Sequence, residues 1–439
     1  MALDGGRTFV GFGFGAIQAG LFLYEAHRSG NFGRLVVAEV VPEAVAQLRS
    51  AGGDYSVNIA HSDRLEAASV GPVEIEDPAD EAGRERLVEA VSRADEIATA
   101  VPSVAFYESG SAGSIHAVLA EGLRQKATAG GSPAVVYAAE NNNHAAEILQ
   151  DKVMGLVPAP ERDAAAAKAR FVNTVIGKMS GVVTEADQIA EQGLATVTPD
   201  SDRAFLVESF SRILISRIDF DREAGFERGT RIFEEKDDLL PFEEAKLYGH
   251  NATHALAAYS GLFRGVELIA GLREAPGMMA FLRAAFVTES GGALTSKHAG
   301  VDDVFTAEGY AAYADDLLER MTNPLLRDTA LRVGRDPRRK LGWSDRLVGT
   351  IRVALSQGVE PARYAFGCAA ALAAVDSFAA ESPPAGAKLL EDIWRAEGGA
   401  NAPVGPDEKK EVLDIVARAC VKLRKWREAG FPEPERLFR

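Results

Sequence analysis

Residues 8–20 read TFVGFGFGAIQAG: a short apolar run passes into Gly13-Phe14-Gly15 and then into a helical pattern. Strand, glycine turn and helix in that order are the context a dinucleotide-binding fingerprint requires. Gly13 and Gly15 permit a tight turn and the close approach of a pyrophosphate, which then caps the helix N-terminus. Gln18 stands in the third glycine's place, with Gly20 two residues on, and Gly11-x-Gly13 offers a second register. Such a turn can also be purely structural, so support has to come from further along the chain. Glu39 supplies some of it, ending the next apolar run 24 residues after Gly15. A carboxylate there can accept hydrogen bonds from the adenosine ribose hydroxyls and would repel the additional phosphate of NADP, which favours NAD. The alternative for Glu39 is an exposed acid at a strand end.

Outward from this turn, strand-like and helical segments alternate. TFVGF (8–12), RLVVAEV (34–40), EIATAV (96–101), AVVYAA (134–139) and RFVNTVIG (170–177) are short runs rich in Val and Ile. Between them lie AIQAGLFLYEAHRSG, PEAVAQLRSAG and SIHAVLAEGLRQKATAGG, which carry helical periodicity. The alternation predicts βαβ units and a mostly parallel, doubly wound sheet, an α/β Rossmann-type domain over 1–218. AFLVESFSRILISRI (204–218) reads as a last strand and 219–238 as a charged connection. Beyond it AKLYGHNATHALAAYSGLF, GMMAFLRAAFVTESGG, YAAYADDLLERM, DRLVGTIRVALSQG and EVLDIVARACVKLRKW are helical, punctuated at Asn323-Pro324, Ser382-Pro383-Pro384 and Gly398-Gly399. The second domain, 219–439, is therefore expected to be all-α and to carry substrate and catalysis, with the active site in a cleft between the two.

With 439 residues, 47% hydrophobic and 26% charged, the chain can bury two substantial cores. Its net charge of −16 argues against nucleic acid or an anionic membrane as partner. An acid at position 4 followed at once by a glycine turn is unlike a secretory leader, and no apolar run approaches the roughly 20 residues of a membrane span. A cytoplasmic location is expected, with Cys368 and Cys420 as reduced core residues. The sequence leaves the oligomeric state open.

At the other end of the chemistry stands Lys246-x4-Asn251-x2-His254-x4-Tyr259. A lysine can be the acid or base toward a sugar oxygen, and an asparagine can donate to a developing alkoxide. A free lysine, with a pKa of about 10.4, is a poor base near neutrality, but burial can lower it toward roughly 7–8. Asn251 and His254 fit one helix face, whereas Lys246, five residues before Asn251, would lie about 140° away on an ideal helix. Lys246 is therefore expected at the helix entrance, with Gly249 helping to break the geometry. Each residue also has a plainer reading: a solvated lysine, an asparagine cap, a packed histidine.

Six pieces together resemble the polyol-specific long-chain dehydrogenase/reductase family, and within it the mannitol-1-phosphate 5-dehydrogenases. They are GFGAIQAG (13–20), TAVPS (99–103), AAEN (138–141), AKLYGHNATHALAAYSG (245–261), ESGGALTSKHAG (289–300) and TNPLLRDTALRVGRDPRRKLGWSDRLVG (322–349). The resemblance implies a Rossmann domain, a helical domain and no catalytic metal; the sequence has neither HExxH nor paired cysteines suited to zinc. It places the catalytic lysine on Lys246, the partner asparagines on Asn251 and Asn141, and the neighbouring histidine on His254. Expected NAD contacts are Gly13, Gly15, Ala16, Ile17 and Glu39, joined by Val101 and Glu140 in the matched TAVPS and AAEN pieces.

Arg332, Arg335, Arg338, Arg339, Lys340 and Arg346 face only Asp336 and Asp345 in the same stretch, a net +4 island. Guanidinium groups bind phosphate oxygens bidentately, so the island suits an anion, although charge runs are commonly solvated. Arg332 and Lys340 match family positions around the polyol, and a phosphorylated sugar would engage Arg335 and Arg339 as well. Gly177-Lys178 stands where the family usually carries Asp-Arg. The expected activity is NAD-dependent interconversion of mannitol 1-phosphate and fructose 6-phosphate, or of a close sugar phosphate. Its rivals are a dehydrogenase of unphosphorylated polyols, a keto-uronate reductase, and a non-catalytic dinucleotide or sugar-phosphate sensor.

Overall fold

The computed structural model of the chain describes residues 6–210, 212–220, 226–397 and 405–438. The acid at position 4, the Gly398-Gly399 turn and residues 221–225 of the charged connection lie outside the described residues. Two compact units emerge, Met1–Leu240 and Pro241–Arg439.

The first unit holds two sheets. Its strands are β1 (Arg7–Phe12), β2 (Phe32–Ala38), β3 (Tyr55–Ala60), β4 (Leu65–Val70), β5 (Glu74–Glu76), β6 (Glu96–Thr99), β7 (Ala134–Ala138), β8 (Ala169–Ile176), β9 (Ser180–Val183), β10 (Ala204–Glu208), β11 (Ile213–Ser216) and β12 (Phe233–Lys236). The large sheet runs β12-β11-β8-β7-β6-β1-β2-β5. Neighbours from β5 to β8 pair in parallel, and β11 meets β8 antiparallel. Alternate residues feed opposite cores, as the two-residue period of a strand dictates. Phe9, Val135 and Tyr137 join the layer that contains Phe22, Val57 and Phe205, while Val10, Phe12 and Val136 pack on the opposite face with Leu87, Val91, Leu119 and Leu123.

The five strands read from the sequence are β1, β2, β6, β7 and β8, and the α/β Rossmann-type architecture with a helical second half is as expected. Two things differ. AFLVESFSRILISRI is not one strand: β10 joins β3, β4 and β9 in a separate four-stranded sheet, and β11 returns to the large one. The expected boundary at 218/219 also precedes β12, which pairs in parallel with β11 and so still belongs to the large sheet.

In the second unit the described residues form helices, with one isolated antiparallel bridge between Leu268 and Thr329. The alanine-rich helix Ala362–Val375, with Tyr364 to Leu372 all buried, packs between Ala252–Arg264 and Pro406–Glu428. Cys368 and Cys420 are buried free thiols there, and burial pushes both pKa values up. No described helix is long and apolar enough to cross a membrane.

Glu96 pins the chain ahead of β12 to the sheet. It is fully buried, and its carboxylate accepts the Tyr137 hydroxyl at 3.0 Å, the Thr230 amide at 3.1 Å and the Gly229 amide. Glu96→Ala leaves these donors unpaired in the interior, which should cost about 3 kcal/mol. A fall in the urea unfolding midpoint of matching size is expected, and a change below about 1 kcal/mol would mean the segment is held by other contacts.

Candidate active site

In the first unit β1 ends in the glycine turn. Gly13 has φ +86°, and a Cβ there would stand 2.9 Å from the Ala100 carbonyl oxygen, so both backbone angle and space require glycine. Its amide donates to Ala38 O at 2.9 Å, which fixes the turn against the end of β2. Gly11 lies inside β1, paired with Val37 and Ala98, so the turn uses the Gly13-x-Gly15 register. At Gly15 nothing lies within 4 Å of where a side chain would stand, while Ala16 is buried beneath and Ile17 half-buried. That open face suits a pyrophosphate. Glu39 closes the arrangement: its carboxylate accepts from the amides of Phe14 (2.8 Å), Val40 (2.7 Å) and Val41 (2.9 Å). Val40 and Val41 beyond it are exposed apolar side chains, a surface against which an adenine ring can lie.

Gln18 opens a π-helical turn, Gln18–Leu23, and is fully buried against Gly11, with no hydrogen-bond partner for its amide among the described residues. Glu140, expected among the cofactor contacts, is tied into the fold. Its buried carboxylate takes Thr99 Oγ1 at 2.9 Å, the Val101 amide at 3.0 Å and the Tyr107 hydroxyl, with burial pushing its pKa up and these donors opposing. Glu140 thus holds the 99–103 loop, Val101 included, in place. Asn141 follows it, exposed, in the turn after β7. At the end of β8, where the Asp-Arg departure falls, Lys178 is buried and donates to Phe210 O at 2.7 Å.

In the second unit, the run carrying Lys246 is not an ordinary helix. Ala245–Asn251 is a π-helix that passes into the α-helix Ala252–Arg264. Hydrogen bonds in a π turn span i to i+5, so residues five apart stand nearly one above the other. Lys246 and Asn251 are five apart and share a side, which replaces the 140° separation expected of an ideal helix. Gly249 permits the turn: a Cβ there would stand 2.5 Å from Tyr310 Oη and 2.7 Å from a Phe286 ring carbon. Phe286 lies in a second π-helix, Ala285–Ser290, whose Ser290 hydroxyl meets Tyr310 Oη at 2.9 Å.

Charge and burial act together here. Lys246 is pushed down to about 8, first by burial and then by the positive charge of Arg346, with Glu243 opposing. His254 is pushed down to about 4 by burial, with Asp328 opposing and Arg332, Arg346 and Lys340 adding to the fall. Its Nε2 is buried without a hydrogen-bond partner among the described residues. His250, buried one turn earlier with ring centroids 6.3 Å apart, is also pushed down by burial. Tyr259 is buried and donates to Gly334 O at 2.8 Å, a structural bond. Lys340 is buried, donates to Arg335 O and is pushed down to about 8. Arg332 is paired with the buried Asp328.

The basic island therefore divides. Arg332, Lys340 and Arg346 act on His254, Lys340 buried, Arg346 half-buried and Arg332 exposed; Arg335 and Arg339 are exposed too, with Arg339 paired to Asp336 at 3.5 Å. Sequence reasoning counted Arg346 in the island without singling it out, and passed over His250. The matched piece ending at Gly349 was the available signal for Arg346.

The profile of the Mannitol dehydrogenase Rossmann domain matches residues 7–224, and that of the Mannitol dehydrogenase C-terminal domain matches 238–415. The chain belongs to the mannitol dehydrogenase family. It is accordingly an NAD-dependent polyol dehydrogenase, as the resemblance implied. It is 30% identical to the mannitol-1-phosphate 5-dehydrogenase of Arthrobacter sp. (strain FB24) over 381 residues, covering 85% of this chain and 88% of that protein. With its counterpart from Paenarthrobacter aurescens (strain TC1) the identity is 31% over 364 residues, covering 83% and 85%. Among solved structures, Pseudomonas fluorescens mannitol 2-dehydrogenase, in ternary complex with NAD and D-mannitol, aligns at TM-score 0.71 and 16% identity over 100% of this chain and 95% of that one. D-Sorbitol dehydrogenase in substrate-free form aligns at TM-score 0.70 and 16% identity, covering 98% and 95%. These two likenesses establish the fold.

Gly249→Ala tests the π turn. The added methyl must displace Tyr310 and Phe286 or shift the turn, moving Lys246 relative to Asn251. A fall in kcat of about 10–100-fold is expected, since a misplacement near 1 Å can cost that much. An unchanged kcat would show that the turn tolerates the shift.

Proposed function

We propose that the protein interconverts mannitol 1-phosphate and fructose 6-phosphate, or a closely related sugar-alcohol phosphate and keto-sugar phosphate, with Lys246 as acid and base and no metal. The observation that carries this reading is Lys246, pushed down to about 8 by burial and the charge of Arg346, on a π turn that runs to Asn251, with Arg332, Arg346 and Lys340 acting on His254 one turn further on. The name shared by the relatives near 30% identity supports the phosphorylated substrate.

When bound, NAD supplies the hydride acceptor or donor. The glycine turn and Glu39 would hold its pyrophosphate and ribose, and the Glu39 carboxylate disfavours the extra phosphate of NADP. In oxidation, neutral Lys246 Nζ removes the hydroxyl proton of the carbon that loses hydride. In reduction, the ammonium form returns a proton to the oxygen as negative charge grows there. Asn251 donates its amide hydrogen to that oxygen. His254, neutral near pH 7 because its pKa lies at about 4, offers Nε2 to a substrate hydroxyl. On the family resemblance, Asn141 belongs to the same proposal as a second amide donor, and Arg332 and Lys340 as polyol contacts.

The first experiment is NADH oxidation with fructose 6-phosphate beside fructose and a keto-uronate at matched concentrations. Turnover confined to the phosphate is expected; turnover confined to either other compound would replace the substrate assignment.

Lys246→Ala should lower kcat at least about 10³-fold, within the range of acid–base catalysis, while NADH binding stays near normal. Near-normal kcat would remove Lys246 from the mechanism.

The pH dependence follows from the same group. Oxidation needs Lys246 neutral, so its rate should rise as pH passes upward through about 8. Reduction needs the ammonium and should fall over the same interval. Parallel trends in both directions would contradict the assignment.

A further inference from the structure

We propose that Arg346 is the residue that receives the anionic group of the substrate and so selects a phosphorylated sugar over a neutral one. The inference rests on the sugar-phosphate reading above. It begins with how the 344–350 segment is seated. Thr350 Oγ1 donates to Tyr248 O at 3.1 Å and also to Arg346 O, so this segment grips the π turn two residues from Lys246. The Arg346 amide and Nε both donate to Asp345 Oδ1, at 2.6 and 2.8 Å, which fixes the root and the near edge of the guanidinium. Its terminal nitrogens have no partner among the described residues, and the side chain keeps 13% of its surface exposed. That leaves a fork of parallel N–H groups, the geometry that binds phosphate oxygens in pairs.

The other cations of the island are less suited. Arg332 gives Nε and a terminal nitrogen to Asp328. Arg339 is exposed and pairs with Asp336, and Arg335 and Arg338 are exposed. Lys340 is buried and already engaged with Arg335 O, with its pKa pushed down to about 8. A guanidinium keeps its charge throughout that range. Arg346 is also a cation whose charge acts on Lys246, His254 and Lys340 alike, three groups assigned to the proposed reaction.

The test uses the full-length chain in two arms. In the first, Arg346→Gln is assayed with fructose 6-phosphate and NADH. KM should rise about 30-fold or more with kcat within about fivefold, the split expected when a ground-state contact is lost. Arg346→Lys should recover part of the loss, because a point charge replaces the fork. In the second arm, inorganic phosphate is titrated by calorimetry into the NADH-loaded wild type and both variants. Wild type should bind, and Arg346→Gln should weaken binding at least about tenfold. An unchanged KM together with unchanged phosphate affinity overturns the proposal, as does wild type that binds no phosphate. Should Arg346→Gln fail to fold, Arg346→Lys carries the test: wild-type KM and phosphate affinity in it overturn the fork, and a loss in both supports it. Should wild type act only on neutral sugars, the substrate reading fails by itself, and the phosphate titration still decides whether Arg346 is an anion site.

Discussion

The positive charge of Arg346 acting on a half-buried Lys246 is the electrostatic constraint on which the chemistry of the second unit depends. Left in water, Lys246 and Arg346 would both be charged and well solvated. Seated as they are, each disfavours the charge of the other, and only the lysine can relieve the conflict by releasing its proton, since a guanidinium cannot at any ordinary pH. The segment that carries Arg346 is tied to the turn that carries Lys246 by the Thr350 hydroxyl on Tyr248 O, and at Gly249 in that turn Tyr310 and Phe286 approach closely enough to exclude even a methyl group. The same close approach accompanies the π turn that lifts Lys246 over Asn251. Neutral His254 follows the same logic, since three cations and burial act against its charge and Asp328 alone opposes them among its strongest neighbours.

The first unit relies on carboxylates in a different way. Glu39, Glu96 and Glu140 each collect three donors, among them at least one backbone amide, and each does so at the end of a strand or beside one. A charge-assisted bond is about twice as strong as a neutral one, so a single side chain can fix the loop that leaves the sheet. Glu39 fixes the glycine turn to the end of β2, and Glu140 fixes the loop after β6 to the end of β7. Loops held by such anchors at the carboxyl ends of parallel strands are where open α/β sheets bind their ligands.

Much of this was legible in the chain. The five central strands carry enough Val and Ile to stand out from their helical neighbours, and the glycine turn, Glu39 and the Lys-Asn-His run could be placed by local order and resemblance. What escaped notice shares a physical cause. β4 is largely exposed along its length and so has no continuous apolar signal. β10 and β11 are both apolar and nearly adjacent, and nothing in their composition assigns them to different sheets. Glu140 sits in a matched piece and reads as a contact residue, yet its carboxylate is consumed by three donors that only the folded loop brings to it.

By itself the sequence determined the five central strands and the helical second half, the chemistry of the reactive groups and the family, because each depends on residues near one another in the chain or on motifs held in a fixed order. Only the tertiary structure decided which cations act on Lys246, how Lys246 and Asn251 come to share a side, and where the second sheet begins. Electric fields and burial depend on distances across the fold, and Arg346 reaches Lys246 from a segment a hundred residues further along. Helical periodicity places residues five apart on different faces. It took the contact of Gly249 with Tyr310, sixty-one positions away, to show that here they do not.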